Sequence, residues 1–243
     1  MNAENQRAVD EFWAGDLGLT PEAFADTRGV CCVGQRLHTG VQMFRQDQRL
    51  VVAAPPEMVR SVEEAATALS ADTLFSASWL QQVCGGKAEK ILGPAEIGYA
   101  DQSMFQCDEN RFGRRMSPDD SAAYAALAGA LDQTEAEESG LLPDRFPAFG
   151  AFSDGELCAV ASYSVWEPSI AHIVVATHPH HRRRGFASAA LQSLAKEAFD
   201  RGLILQWRAV SRNRNSLALA ERLGFRHYCS TLYVRLRSPL ENA

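Results

Sequence analysis

The stretch from Ala171 to Leu194 limits what this chain can fold into more than any other. Ala171-His172-Ile173-Val174-Val175-Ala176-Thr177 is a β-branched run of the kind that forms a short buried strand. Pro179 ends it, because proline has no ladder donor. From Gly185 onward the apolar residues Ala187, Ala190, Leu191, Leu194, Ala195 and Ala198 recur at helical spacing. The sequence therefore predicts a strand, a basic loop and the open N-terminus of a helix. Such a turn presents unpaired backbone N–H groups and the positive end of a helix dipole, which suits an anionic phosphate.

The residue types in the loop sharpen that reading. Gly185 and Ala187 have little or no side chain, so a bulky anion can approach the backbone. Arg182, Arg183 and Arg184 add charge and forked donors. Three arginines alone would read as a solvated patch; placed directly before Gly185 and a helix, they favour phosphate. One helix and one strand later comes Asn213-Arg214-Asn215-Ser216, followed by Leu219-Ala220-Glu221-Arg222-Leu223-Gly224-Phe225. The two stretches together resemble motifs A and B of the GNAT superfamily of acyl-CoA-dependent N-acetyltransferases. Arg182-Arg183-Arg184-Gly185-Phe186-Ala187 matches that family's Gln/Arg-x-x-Gly-x-Gly/Ala signature.

At 243 residues the chain is large for one compact α/β domain and natural for two. The resemblance covers residues 109–243. It implies an α/β (α+β) fold of GNAT type, a mixed and mostly antiparallel sheet flanked by helices. A smaller α/β region, residues 1–108, precedes it. Net charge is −6, which argues against nucleic acid as a partner, although arginines crowd the C-terminal end. No apolar run is long enough to span a bilayer, and Met1 to Asp10 lacks a signal-peptide core, so a cytoplasmic protein without a membrane partner is expected. The six cysteines, Cys31, Cys32, Cys84, Cys107, Cys158 and Cys229, have no C-x-x-C pair and irregular spacing, as reduced thiols do.

Along the N-terminal region the patterns predict a helix over Glu4–Trp13 and a second started by Thr20-Pro21. Strands follow at Cys31–Leu37 and Val41–Phe44 around His38-Thr39-Gly40, and at Arg49–Ala53. An amphipathic helix covers Pro56–Leu69 with Leu69 inward, and another helix covers Phe75–Val83. Two short strands, Lys90–Leu92 and Ile97–Tyr99, flank Gly93-Pro94. The region carries no readable chemistry; it is a substrate-side lid, a homodimer surface or a degenerate copy of the C-terminal fold. In the second half, Phe112–Met116 reads as a strand and Ser117-Pro118-Asp119-Asp120 as a helix start. Ser153-Asp154-Gly155-Glu156 is a hairpin turn, and Gly224 a helix stop.

The resemblance implies that acetyl-CoA serves as acyl-donor cosubstrate. Its pyrophosphate would rest on Arg182, Arg183, Arg184, Gly185, Phe186, Ala187 and Ser188, and its pantetheine along Val175, Ala176 and Thr177. Asn213 would contact the cofactor arm, with Ser216 at the small-residue position after it. The acceptor would be a primary amine of a small or amino-acid-like molecule, in a branch that includes antibiotic-modifying enzymes. Many members carry a thiolate-protonating tyrosine where this chain has Ala220, which leaves water, or Ser216, Tyr228 and Tyr163, as donors to consider. His172, the titratable side chain inside the central strand, is read as general base, with Glu167 second; the competing reading is a satisfied core histidine. His178, His180 and His181 raise a metal site. Neighbouring guanidiniums oppose a cation, and no Asp, Glu or Cys completes the set, so no metal is expected. Two further function classes stand beside the enzyme. One is an acyl-CoA-binding regulatory or sensor protein with little or no turnover, motivated by Ala220. The other is a dinucleotide binder, which the missing Gly-x-Gly-x-x-Gly disfavours.

Overall fold

Local chemistry sets many of the element boundaries. The computed structural model describes residues 1–36, 39–67, 69–107, 113–141, 147–166 and 168–237. In chain order, α1 (Ala3–Leu17), α2 (Pro21–Asp26), β1 (Val30–Gly34), β2 (Gly40–Gln46), β3 (Arg49–Ala54), α3 (Val59–Ala66), α4 (Ala71–Leu74), α5 (Ala77–Cys84) and β4 (Ala88–Ala100) come first. Next are β5 (Arg114–Arg115), α6 (Ser121–Gly129), α7 (Gln133–Ser139), β6 (Ala148–Ser153), β7 (Glu156–Trp166), β8 (Ile170–Thr177), α8 (Phe186–Asp200), β9 (Ile204–Val210), α9 (Arg214–Arg222) and β10 (Arg226–Leu236). Thr20 accepts a hydrogen bond from the Ala23 N–H and caps α2 with Pro21 in its first turn. Asp154 and Gly155 both have positive φ, 53° and 82°, as a two-residue hairpin turn between β6 and β7 requires.

The chain forms two compact units that interleave in sequence. The N-terminal unit holds Ala3–Ile97, Val210–Asn213 and the chain from His227 onward; the C-terminal unit holds Met1–Asn2, Gly98–Ala209 and Arg214–Arg226. In the N-terminal unit the strands run β1-β3-β2-β10-β4. β1 is parallel to β3, and β2 is antiparallel to both β3 and β10. Val41, Met43, Val52, Val62, Leu80, Leu232 and Val234 form its core under α3 and α5.

In the C-terminal unit the order is β9-β8-β7-β6-β5, antiparallel except for the parallel β8–β9 pair. The expected mixed, mostly antiparallel sheet flanked by helices is present. Alternation along β8 splits its side chains between two faces. Ala171 and Ile173 pack in one cluster with Ala190, Leu191, Leu194, Ala195 and Ala198 of α8, where the alanines let helix and sheet come close. Ala176 packs on the other face with Val160, Tyr124 and Leu127, the last two from α6.

Four expectations need correction. Lys90–Leu92 and Ile97–Tyr99 are one strand, β4, because the chain continues through Gly93-Pro94 without turning back. The strand expected at Cys31–Leu37 is β1, which ends at Gly34 and pairs with β3; Leu37 and His38 lie outside the described residues. Leu69 is 39% exposed rather than inward, since the helix stops at Ala66. Of the strand expected at Phe112–Met116, β5 comprises Arg114–Arg115; Phe112 lies outside the described residues. All six cysteines are free thiols. No helix among the described residues is long and apolar enough to cross a membrane.

Candidate functional site

The turn after β8 is built as its sequence suggests. Pro179–His181 makes one 3-10 turn, and Arg182 is extended. Arg183 then takes φ 61° and Gly185 φ 87°, two left-handed residues that swing the chain into α8. The first backbone bond of α8 runs from the Ala189 N–H to the Gly185 carbonyl at 3.1 Å. The N–H groups of Phe186, Ala187 and Ser188 precede it and point out of the helix start. Gly185 also serves as N-cap, with no side chain to block the approach.

The three arginines are not equivalent. Arg182 is held by Glu135 of α7 at 2.8 Å and by the Thr177 carbonyl at 3.4 Å. The Arg184 Nη1 donates to His181 Nδ1 at 2.9 Å, and its guanidinium lies over the Phe186 ring. Arg183 is exposed at the left-handed corner.

Beside this turn the sheet opens. The parallel ladder between β8 and β9 runs from Ile170↔Ile204 to His172↔Gln206, whereas the β7 ladder follows β8 to Thr177. The backbone of Ile173–Thr177 thus diverges from β9 and leaves a cleft edge that includes Val175, Ala176 and Thr177. Ser216 on α9 accepts a hydrogen bond from the Trp207 indole at 3.1 Å, which fixes its hydroxyl. Asn213, whose N–H donates to the Val210 carbonyl, belongs to the N-terminal unit.

His172 lies at the point where the ladder ends. Its Nδ1 is 2.9 Å from Gln206 Oε1, and the Gln206 Nε2 donates to the Tyr99 hydroxyl at 2.6 Å. Trp166 stacks on the imidazole, with centroids 4.3 Å apart and planes 12° from parallel. Gln206 and Tyr99 were not candidates in the sequence; a glutamine inside Ile204-Leu205-Gln206-Trp207 was the available signal, since a polar residue on a buried strand needs a partner. Glu167, the second base candidate, lies outside the described residues.

Two of the proton donors considered for the thiolate are already engaged by other side chains. Tyr163 accepts from Arg201 at 2.6 Å and lies 3.3 Å from Glu197, and burial pushes its phenol up. Tyr228 belongs to the N-terminal unit and donates to Asp10 at 2.6 Å. Ala220, at the family's tyrosine position, is buried in the core.

The structure also corrects the reading of the histidine loop, because a carboxylate does reach it. Glu156, at the hairpin end of β7, lies 3.0 Å from His181 Nε2 and 3.9 Å from His178 Nε2, and the three form a cluster of metal-ligand type. Its hydrogen bond to His181 holds the Glu156 carboxyl below the usual range. The donor set does not fit a cation. His181 Nδ1 accepts from the Arg184 guanidinium and His178 Nδ1 from the His180 N–H. Neutral imidazoles engaged that way carry their proton on Nε2, the nitrogen a metal would need. A ligating histidine instead donates from its second nitrogen.

Residues 145–232 match the family model described as GNAT acetyltransferase. Similar solved structures include a protein assigned as an acetyltransferase of the GNAT family from Novosphingobium aromaticivorans, 22% identical, with 60% of this chain and 65% of that one covered at a TM-score of 0.51. A GNAT-family acetyltransferase from Colwellia psychrerythraea is 15% identical over 76% of each chain, TM-score 0.52. A GCN5-related N-acetyltransferase from Kribbella flavida is 15% identical over 96% of this chain and 95% of that one, TM-score 0.52. The chain spans just under two thirds of the Novosphingobium protein, and at these identities the likeness is one of fold. No curated protein matches the sequence. The motif turn and the splayed β8–β9 pair both fall inside the segment, residues 145–232, that matches the GNAT acetyltransferase model, and the N-terminal region is unassigned.

Proposed function

We propose that this protein is a cytoplasmic N-acetyltransferase that moves an acetyl group from acetyl-CoA directly to the primary amine of a small or amino-acid-like acceptor. The observation that carries the reading is the left-handed Gly185 opening α8 beside a strand that leaves its parallel neighbour at His172. The helix start supplies N–H donors and a positive dipole end for a pyrophosphate, and exposed Arg183 adds a cation. The released edge of Val175–Thr177 supplies backbone groups for an amide-rich arm and a donor for the developing oxyanion.

In the reaction, the amine nitrogen forms a bond to the thioester carbonyl carbon and the C–S bond breaks. The amine gives up one proton, and the departing thiolate takes one to become the free thiol of CoA. His172 receives the first proton, and the Trp166 face favours the imidazolium so formed. With Ala220 buried and Tyr163 engaged by Arg201 and Glu197, Ser216, water or a group of the acceptor itself protonates the thiolate.

The test is acetyl-CoA-dependent thiol release against an amine panel, paired with calorimetric titration of CoA. Turnover that falls by about tenfold or more in His172→Ala, with CoA affinity kept, supports the reading. Tight CoA binding without turnover on any amine favours the second reading, an acyl-CoA-binding regulatory protein, which the buried Ala220 motivates. Absence of CoA binding overturns both.

A further inference from the structure

We infer that Gln206 and Tyr99 are positioning residues that hold His172 as the Nδ1–H tautomer and thereby put its lone pair on Nε2. The inference rests on the proposed base role of His172 and adds how that role is set. With the amide oriented as it is in the structure, the contacts run in one direction. Gln206 Oε1 is a carbonyl oxygen and only accepts, so the Nδ1 that lies 2.9 Å from it donates. Gln206 Nε2 donates to the Tyr99 hydroxyl at 2.6 Å, which leaves the carbonyl end of the amide facing the imidazole. Gln206 is 0% exposed and Tyr99 1% exposed, so water cannot stand in for a lost partner, and a flipped amide would require Nδ1 to accept and the Tyr99 hydroxyl to donate. In water a histidine side chain favours the opposite, Nε2–H form. The buried amide therefore selects against the ring's own preference.

The partner is neutral, and that has a chemical consequence. A carboxylate in the same place would also fix the tautomer but would favour the imidazolium, leaving the base already protonated. An amide orients the ring without adding charge. Tyr99 is the titratable group at the far end of the chain of contacts.

Two-bond 15N–1H spectra of the full-length protein report for each ring nitrogen whether it carries a proton. The His172 signals are assigned among the six histidines by their loss in His172→Gln. Above the imidazole titration, wild type shows a proton on Nδ1 and a bare Nε2. Tyr99→Phe, which keeps the ring and frees the amide, shifts the population toward Nε2–H. It lowers thiol release by about two- to tenfold, the range of one hydrogen bond. Gln206→Glu keeps Nδ1–H but moves the acid limb of the rate profile to higher pH by about one unit or more, as an adjacent carboxylate does. A wild-type Nε2–H tautomer, or a tautomer unmoved in Tyr99→Phe together with a pH profile unmoved in Gln206→Glu, overturns the inference. The base role fails separately if His172→Gln leaves thiol release intact, whatever tautomer the spectra show.

Discussion

Glu96 offers a prediction whose size follows from its contacts. On β4 it accepts hydrogen bonds from the Ser211 hydroxyl at 2.6 Å, the Ser230 hydroxyl at 2.6 Å and His227 Nε2 at 2.9 Å, all within the N-terminal unit. The His227 bond comes first in depressing its carboxyl, the two serines add to it against the cost of burial, and the value falls from 4.5 to about 2. A folded value below the unfolded one stabilises the protein fully above pH 4.5, and that stability is lost as pH falls toward 2. The whole difference corresponds to about 3 kcal/mol. Glu96 is 25% exposed and His227 58%, so screening reduces the figure to about 1–2 kcal/mol. Glu96→Gln keeps the shape and one acceptor oxygen but loses the charge. Urea unfolding at pH 7 should show it less stable than wild type by about 1–2 kcal/mol. The gap should narrow below pH 4.5 and close near pH 2, with amide exchange in β4 and β10 locating the loss. Equal stability at pH 7, or a gap that stays constant down to pH 3, would refute the charge-based account.

Gly185→Glu places bulk and negative charge at a φ of 87° in front of the α8 N–H groups. CoA affinity should drop by about a hundredfold or more in calorimetry while circular dichroism stays native; unchanged affinity would put the phosphate site elsewhere. His181→Phe removes the acceptor for Arg184 and the donor to Glu156. KM for acetyl-CoA should rise about two- to tenfold with kcat within about twofold, read from initial rates of thiol release. At Gly224 (φ 91°) an added Cβ would lie 2.1 Å from the Met104 carbonyl oxygen. Gly224→Ala should therefore cost about 3 kcal/mol or more in denaturant unfolding, and a loss below about 1 kcal/mol would mean that the backbone yields.

The residues 171–194 could be read before any coordinates because everything that shapes them is local. A β-branched run, a proline stop, a glycine with positive φ and a 3.6-residue repeat each act through neighbours in sequence. The same holds for the Thr20 cap and the Asp154-Gly155 turn. Gly224 was legible as a helix stop, but the Met104 carbonyl that leaves no room for a side chain was not.

Only the tertiary structure decided which distant polar groups meet. Sheet register set His172 opposite Gln206, 34 residues away, and the packing of β4 set Tyr99 against that glutamine across 107 residues. The β6–β7 hairpin carried Glu156 to histidines that the loop sequence alone left without a carboxylate. Tertiary packing likewise made one strand of Ala88–Ala100 and gathered Ser211, His227 and Ser230 around Glu96. A polar side chain announces by its type that it needs a partner once buried. Which partner it finds depends on strand order and register, and these are fixed by the burial of whole faces rather than by neighbouring residues.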